Sequence, residues 1–127
     1  MRQRWLFIFL FSFAFIFQVN AQISTPPKGK KVDAKQKDQI QIDDQLASQH
    51  FRNHEYDQAR DIYASLYSKT GQIHYFQQYV ECLIQEKDFD QAEKELKAFL
   101  KKNPNHSKSI ADLVYVYTLQ GKNDKAT

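Results

Sequence analysis

Glu55-Tyr56-Asp57-Gln58-Ala59 and Asp88-Phe89-Asp90-Gln91-Ala92 are one phrase written twice, 33 residues apart: acid, aromatic, Asp, Gln, Ala. A weaker third copy, Lys122-Asn123-Asp124-Lys125-Ala126, follows 34 residues later. The surroundings repeat with it. Ala59 is followed by Tyr63 and Leu66, and Ala92 by Leu96 and Phe99, at the same offsets of four and seven. Upstream, Leu46, Ala47 and His50 stand where Tyr79, Val80 and Leu83 stand, and where Leu113, Val114 and Tyr117 stand. A period of 33–34 residues marks a repeat architecture in which each unit is one supersecondary element.

Apolar residues within each copy recur at i, i+3, i+4 and i+7, the spacing of one helix face. The pattern predicts five helices with these buried stripes: Gln39–Arg52 (Ile42, Leu46, Ala47), Tyr56–Ser68 (Tyr56, Ala59, Ile62, Tyr63, Leu66), Ile73–Glu86 (Phe76, Tyr79, Val80, Leu83), Phe89–Lys102 (Phe89, Ala92, Leu96, Phe99, Leu100) and Ser107–Gln120 (Ile110, Leu113, Val114, Tyr117). Asp88 is placed to cap the helix from Phe89, with Gln91 set for a capping box. Short connections make neighbouring helices antiparallel. No single pair closes a core, so the units must stack. Only three Gly and three Pro in 127 residues argue against a turn-rich β fold.

Residues 39–127 resemble the tetratricopeptide repeat, a helix–turn–helix unit of 34 residues. Ala59, Ala92 and Ala126 match the small residue where the two helices of a unit cross; Tyr56 and Phe89 match the aromatic near the start of the second helix. Pro104 matches the proline between units, and Gly71 stands there in the first. The match departs at His50 and Leu83, where the family has an aromatic, and at Val80 and Val114, where it has Gly or Ala. The first unit is one residue short. The resemblance implies an all-α solenoid of stacked antiparallel hairpins, with repeats of about 40–72, 73–106 and a partial 107–127. The array stops a few residues into its last helix without a polar terminal cap, and reads as a partial chain.

Two segments precede the array. In residues 1–21, Arg2 and Arg4 are followed by an uncharged run from Trp5 to Phe17, and small Val19 and Ala21 suit a peptidase site after Ala21. This is the layout of a cleaved secretory signal peptide. A helix of that run spans roughly 20 Å, short of the ~30 Å hydrocarbon core. Residues 22–38 carry five lysines, Pro26-Pro27 and Gly29, with no aromatic, and read as a disordered basic linker. The formal net charge of the chain is +3, yet residues 39–127 are slightly acidic. Export places the protein in the periplasm of a Gram-negative bacterium or outside the cell, which removes nucleic acid as a partner and limits membrane contact to the act of export.

No residue pattern calls for chemistry. His50 and His54 have the i, i+4 spacing of a helical zinc pair but lack a third ligand, and read as surface histidines. Cys82 has no placed histidine base and reads as a small, semi-buried residue. There is no GxSxG, phosphate loop or HExxH motif. No enzyme activity, cofactor or metal is expected. The resemblance instead implies a concave face lined by the first helix of each unit. Its residues are Asp44, Ser48, Phe51 and Arg52, then His74, Gln77, Glu81 and Ile84, then Lys108, Ala111 and Tyr115. Such a face binds another protein, as a peptide segment or partner helix. The subclass that grips a terminal carboxylate is disfavoured, because Asp44 and Ser48 fill its first slots and Asp112 stands in place of an Arg. The function expected is an exported protein-interaction scaffold. The alternatives are the sensing region of a larger membrane receptor or the non-catalytic part of an enzyme. Self-association through the open C-terminal end is a further expectation. Mass spectrometry of the exported protein is expected to find its N-terminus at Gln22; an intact Met1 on membrane-embedded protein would show an uncleaved anchor instead.

Overall fold

A computed structural model describes residues 33–126. The expected cleavage site and the leader as far as Val32 lie outside these residues. The described chain is all-helical: α1 Ala34–Arg52, α2 Tyr56–Thr70, α3 Ile73–Gln85, α4 Phe89–Lys102, α5 Ser107–Leu119 and the single turn α6 Asn123–Ala126. Each helix packs chiefly on its neighbours in sequence, α1 on α2, α2 on α3, and so on to α6. That one-dimensional packing is consistent with an α-solenoid.

Helix α1 begins five residues before the predicted Gln39, inside the segment assigned to the linker. Asp33 supplies the reason. Its carboxylate accepts the Gln36 N–H at 2.7 Å, capping Ala34-Lys35-Gln36-Lys37, a run of strong helix formers. Its negative charge also offsets two lysines at the positive end of the helix dipole. The Asp88 cap forms, with the Gln91 N–H donated to it at 3.3 Å. The reciprocal half of the box does not. The Asp88 N–H is already donated to Leu83 O, and the Gln91 amide reaches Glu95 instead.

The repeat is written into the backbone as well. Glu55, Asp88 and Lys122 each donate their N–H to the carbonyl five residues back, on His50, Leu83 and Tyr117. One residue earlier in each turn, the chain enters the left-handed region: His54 at φ 63°, Lys87 at φ 63° and Gly121 at φ 71°. Three turns of one geometry hold three hairpins in the same orientation. The missing residue of the first unit lies elsewhere. Gly71, at φ 68°, ends α2 and only Gln72 separates it from α3, whereas four residues, Asn103 to His106, separate α4 from α5.

Two core clusters fill the stack. The first joins Ala47, Ala59, Tyr63, Leu66, Tyr75 and Cys82. The second joins Phe76, Val80, Leu83, Ile84, Ala92, Leu96, Phe99 and Val116. Tyr67 and Tyr79 touch both. Phe76 stacks on Phe99 with centroids 4.3 Å apart and leans on Tyr67 at 5.3 Å, linking three helices. Leu66, Leu83 and Leu96 are wholly enclosed, each contributing about 1.5–3 kcal/mol. The predicted stripes fail at the two outer helices. Ile42 is 56% exposed and Leu46 is exposed beside it, as are Ile110 and Val114. These residues face the sides of α1 and α5 on which no further full helix packs among the described residues. Conversely, Tyr75, Cys82, Ile84, Ser109 and Val116 are buried off their stripes, because inner helices are covered on two sides.

A side chain in the left-handed region costs about 1–2 kcal/mol relative to glycine. Lys87→Gly is therefore expected to stabilise the protein by about 1 kcal/mol, less the added freedom of the unfolded chain. Gly121→Ala is expected to destabilise it by a similar amount. A Cβ on Gly121 meets nothing within 4 Å, so the backbone angle alone sets that cost. Chemical denaturation of both variants checks the pair; equal midpoints would contradict the turn geometry.

Candidate functional site

The expected binding face comes from equivalent positions of three helices. Asp44, Gln77 and Ala111 share one position of the repeat, and Ser48, Glu81 and Tyr115 another. None of the six is buried. The turn geometry explains why: hairpins set in one orientation turn the same row of each first helix away from the core.

On α1, the Ser48 hydroxyl lies 3.1 Å from the Tyr63 hydroxyl of α2, and Asp44 is close enough to both Tyr63 and Tyr75 to oppose their ionisation. Burial is the larger cause that raises both tyrosines, so they stay neutral hydrogen-bonding groups. Arg52 is exposed at the end of α1. Phe51 is half-buried, its ring edge-on to Tyr56 at 5.3 Å, so it serves the core as much as the face. On α3, exposed His74 packs against Tyr75, Gln77 is half-buried, and Glu81 accepts the Gln85 amide at 2.8 Å. Ile84 does not belong to the face. It is 8% exposed and sits in the second core cluster, with Ala92, Leu96 and Phe99 of α4 and Val116 of α5. On α5, Lys108 pairs with Asp112 one turn on, Ala111 is exposed and Tyr115 is 53% exposed. Leu119, outside the expected set, is exposed one turn beyond Tyr115. The face thus bears carboxylates on α1 and α3, while on α5 it runs from Lys108 to the exposed Ala111 and Tyr115.

The histidine pair divides between two partners. His50 Nδ1 lies 2.6 Å from Glu55 Oε2, and His54 Nδ1 lies 2.6 Å from the Tyr56 hydroxyl. No group of three metal-ligating side chains occurs among the described residues. His106 caps α5, accepting the Ser109 N–H at 3.2 Å with its ring edge against Phe99. Cys82 is fully enclosed rather than semi-buried, and burial pushes its thiol up to about 12. A thiol held protonated in the core is neither nucleophile nor metal ligand at neutral pH. No helix among the described residues is long and apolar enough to cross a membrane.

Two polar clamps hold successive hairpins together, and neither is visible in the motif. The Arg60 guanidinium donates to Glu86 at 2.8 Å, joining α2 to the α3–α4 turn. Glu93, at the equivalent position of α4, accepts from Lys122 at 2.9 Å in the α5–α6 turn. One end of the clamp, Arg60 or Glu93, keeps its place in the repeat with its charge reversed; the other end does not, since Glu86 is matched by Gln120, two residues before Lys122. Gln120 adds a bond to Asp90 at 2.9 Å. The last two bonds tie the C-terminal end of α5 to α4. No protein family, curated protein or solved structure matches the chain.

Hydrogen bonds from Lys97 and Lys122 hold the Glu93 carboxylate down to about 2, below its ordinary 4.5. A depressed carboxylate stabilises the fold above its unfolded value and loses that effect as pH falls through the folded one. Hydrogen exchange is expected to show the α5–α6 turn loosening between about pH 4.5 and pH 2. Glu93→Gln should remove this step while leaving the α1–α2 hairpin unchanged. A pH profile identical in both proteins would contradict the clamp.

Proposed function

We propose that this protein is an exported interaction scaffold of the tetratricopeptide type, binding a peptide segment or partner helix along the exposed row of α1 and α3, with α5 at its end. The observation that carries this reading is the recurrence of Asp44, Gln77 and Ala111, and of Ser48, Glu81 and Tyr115, at equivalent positions that all stay out of the core. A row at fixed spacing suits a ligand that is itself periodic, an extended strand or a helix. Asp44 and Glu81 favour a basic side chain in that ligand, and the amides around them, Gln41, Gln45, Gln77 and Gln78, can both donate to and accept from its backbone. The family assignment is supported by the alanine at each helix crossing and by the repeated turn. Export to the periplasm or beyond is supported by the charged, apolar and small-residue order of residues 1–21.

Selection of peptides on the exported chain, followed by titration, tests the reading. Binders enriched in Lys or Arg are expected, and Asp44→Lys with Glu81→Lys should weaken them by at least about tenfold, or ~1.4 kcal/mol. Lys101→Glu, on the exposed side of α4, should leave them unchanged. Binders indifferent to the first pair and sensitive to the second would place the site on the wrong side of the array.

A further inference from the structure

Tyr75 of α3 is 4% exposed, with its ring stacked on Tyr63 of α2 at a centroid distance of 6.4 Å. Its hydroxyl has no hydrogen-bond partner among the described residues. A polar group so placed calls for a physical reason. The oxygen is not sealed in, because Gln120 Oε1 is the one enclosed, unpartnered side-chain atom among the described residues. It opens toward Asp44, whose charge opposes the ionisation of both tyrosines. Asp44 is itself half-buried and carries no ion pair among the described residues. The lysine that reaches α1 from α2, Lys69, is taken by Asp43 instead. One turn on from Asp44, the Ser48 hydroxyl lies 3.1 Å from that of Tyr63. The second unit has no such group. Its equivalent residues are Gln77, Glu81, Leu96 and Ser109; Leu96 is apolar and enclosed, and the Ser109 hydroxyl lies 2.9 Å from His106 Nδ1. The cluster therefore belongs to the first junction alone and is not a consequence of the repeat.

We infer that Asp44, Ser48, Tyr63 and Tyr75 form a seat for the ammonium group of a lysine side chain in the bound segment. An ammonium brings one positive charge and three donors, and accepts nothing. Asp44 supplies the opposite charge. The Tyr75 oxygen and the Ser48–Tyr63 hydroxyl pair supply neutral acceptors from the other helices of the junction. Burial on the core side strengthens each of these bonds relative to open surface. The arrangement favours lysine over arginine. A guanidinium is a planar fork that matches a carboxylate edge to edge, whereas an ammonium is a compact point charge with rotatable donors. One carboxylate and hydroxyl oxygens contributed by three helices surround a point rather than line an edge. The inference rests on the proposed peptide-binding row for its setting, and adds the residue that the row selects and the groups that select it.

NMR titration of the exported chain with Nα-acetyl-lysine methylamide, and with its arginine and norleucine analogues, tests the seat apart from any peptide. The lysine compound is expected to shift the amides of Asp44, Ser48 and Tyr75, to bind about threefold tighter than the arginine compound, and to lose its effect when norleucine replaces lysine. Asp44→Asn should weaken it by about tenfold. Tyr75→Phe should weaken it as well, yet leave the thermal midpoint unchanged or raised, because it removes a hydroxyl that the fold itself does not use. A lysine compound that shifts none of these residues overturns the inference. So does arginine bound as tightly as lysine, or a Tyr75→Phe protein that binds as before. If no selected peptide binds the row while the lysine compound still shifts Tyr75, the scaffold reading fails and the seat stands. If selected peptides bind the row equally well with norleucine at every lysine, the scaffold reading stands and the seat is overturned.

Discussion

Everything in this fold depends on how closely two helices of a hairpin can approach, and that is set by Ala59 and Ala92. Both are wholly enclosed, Ala59 in the first core cluster with Ala47 of α1 and Ala92 in the second with Val80 of α3. A methyl side chain there lets Ala47 and Val80 of the facing helices sit against the backbone. That close approach fixes the radius of the unit and brings Tyr63, Leu66, Leu96 and Phe99 down onto the helix that follows. Interiors packed to crystal-like density leave no slack for a larger group at such a point. The 33–34 residue period follows, because a helix crossing at a fixed point and returning through a fixed turn uses a fixed length of chain.

The hairpins and their order were legible because the Asp-x-Ala phrase and its flanks are local signals. Four of the five long helices lie within two residues of their expected ends. The start of α1 was not legible, since the composition of residues 22–38 averages a proline-rich half with a half that needs only Asp33 to become helical. That Asp44, Ser48, Gln77, Glu81, Ala111 and Tyr115 stay out of the core was legible, because the hairpin geometry that sets it is local. The expected face failed at Ile84 for a non-local reason: the periodicity of α3 reports one apolar stripe, while α3 is also covered by the next unit. Cys82 and Val116 are enclosed for the converse reason, cover by the preceding unit: Cys82 lies with Ala59, Tyr63 and Leu66, and Val116 with Leu96 and Phe99. The clamps Arg60–Glu86 and Glu93–Lys122 join residues 26 and 29 apart, and a charged residue on a helix carries no mark of a partner that distant.

The clamps also show what the repeat holds fixed and what it leaves free. At the recurring position the charge changes: Arg60 reaches an acid in the next turn, and Glu93 reaches a base. Either sign holds the hairpins in register, so the two junctions resist pairing with each other, as like charges would meet in the wrong combination. Exposed ion pairs contribute little stability on average, and here their value lies in register more than in energy. The core clusters are less selective, since tyrosine, leucine and phenylalanine exchange places between units.

A gradient along the stack gives the array a direction. The position facing the preceding unit holds Gln49 in α1, then Cys82 and Val116, both fully enclosed. The position of Phe76 in α3 holds Asp43 in α1, paired with Lys69, and Ile110 in α5. Polar residues at these places let the α1 side meet water, even with Ile42 and Leu46 on its outer flank. At the same place on α5, Val116 is enclosed in the cluster that holds Ile84, Leu96 and Phe99. The order of the units is therefore built into the sequence: each later unit turns an apolar side chain toward the one before it, while α1, which follows no unit among the described residues, has exposed Gln49 at that position.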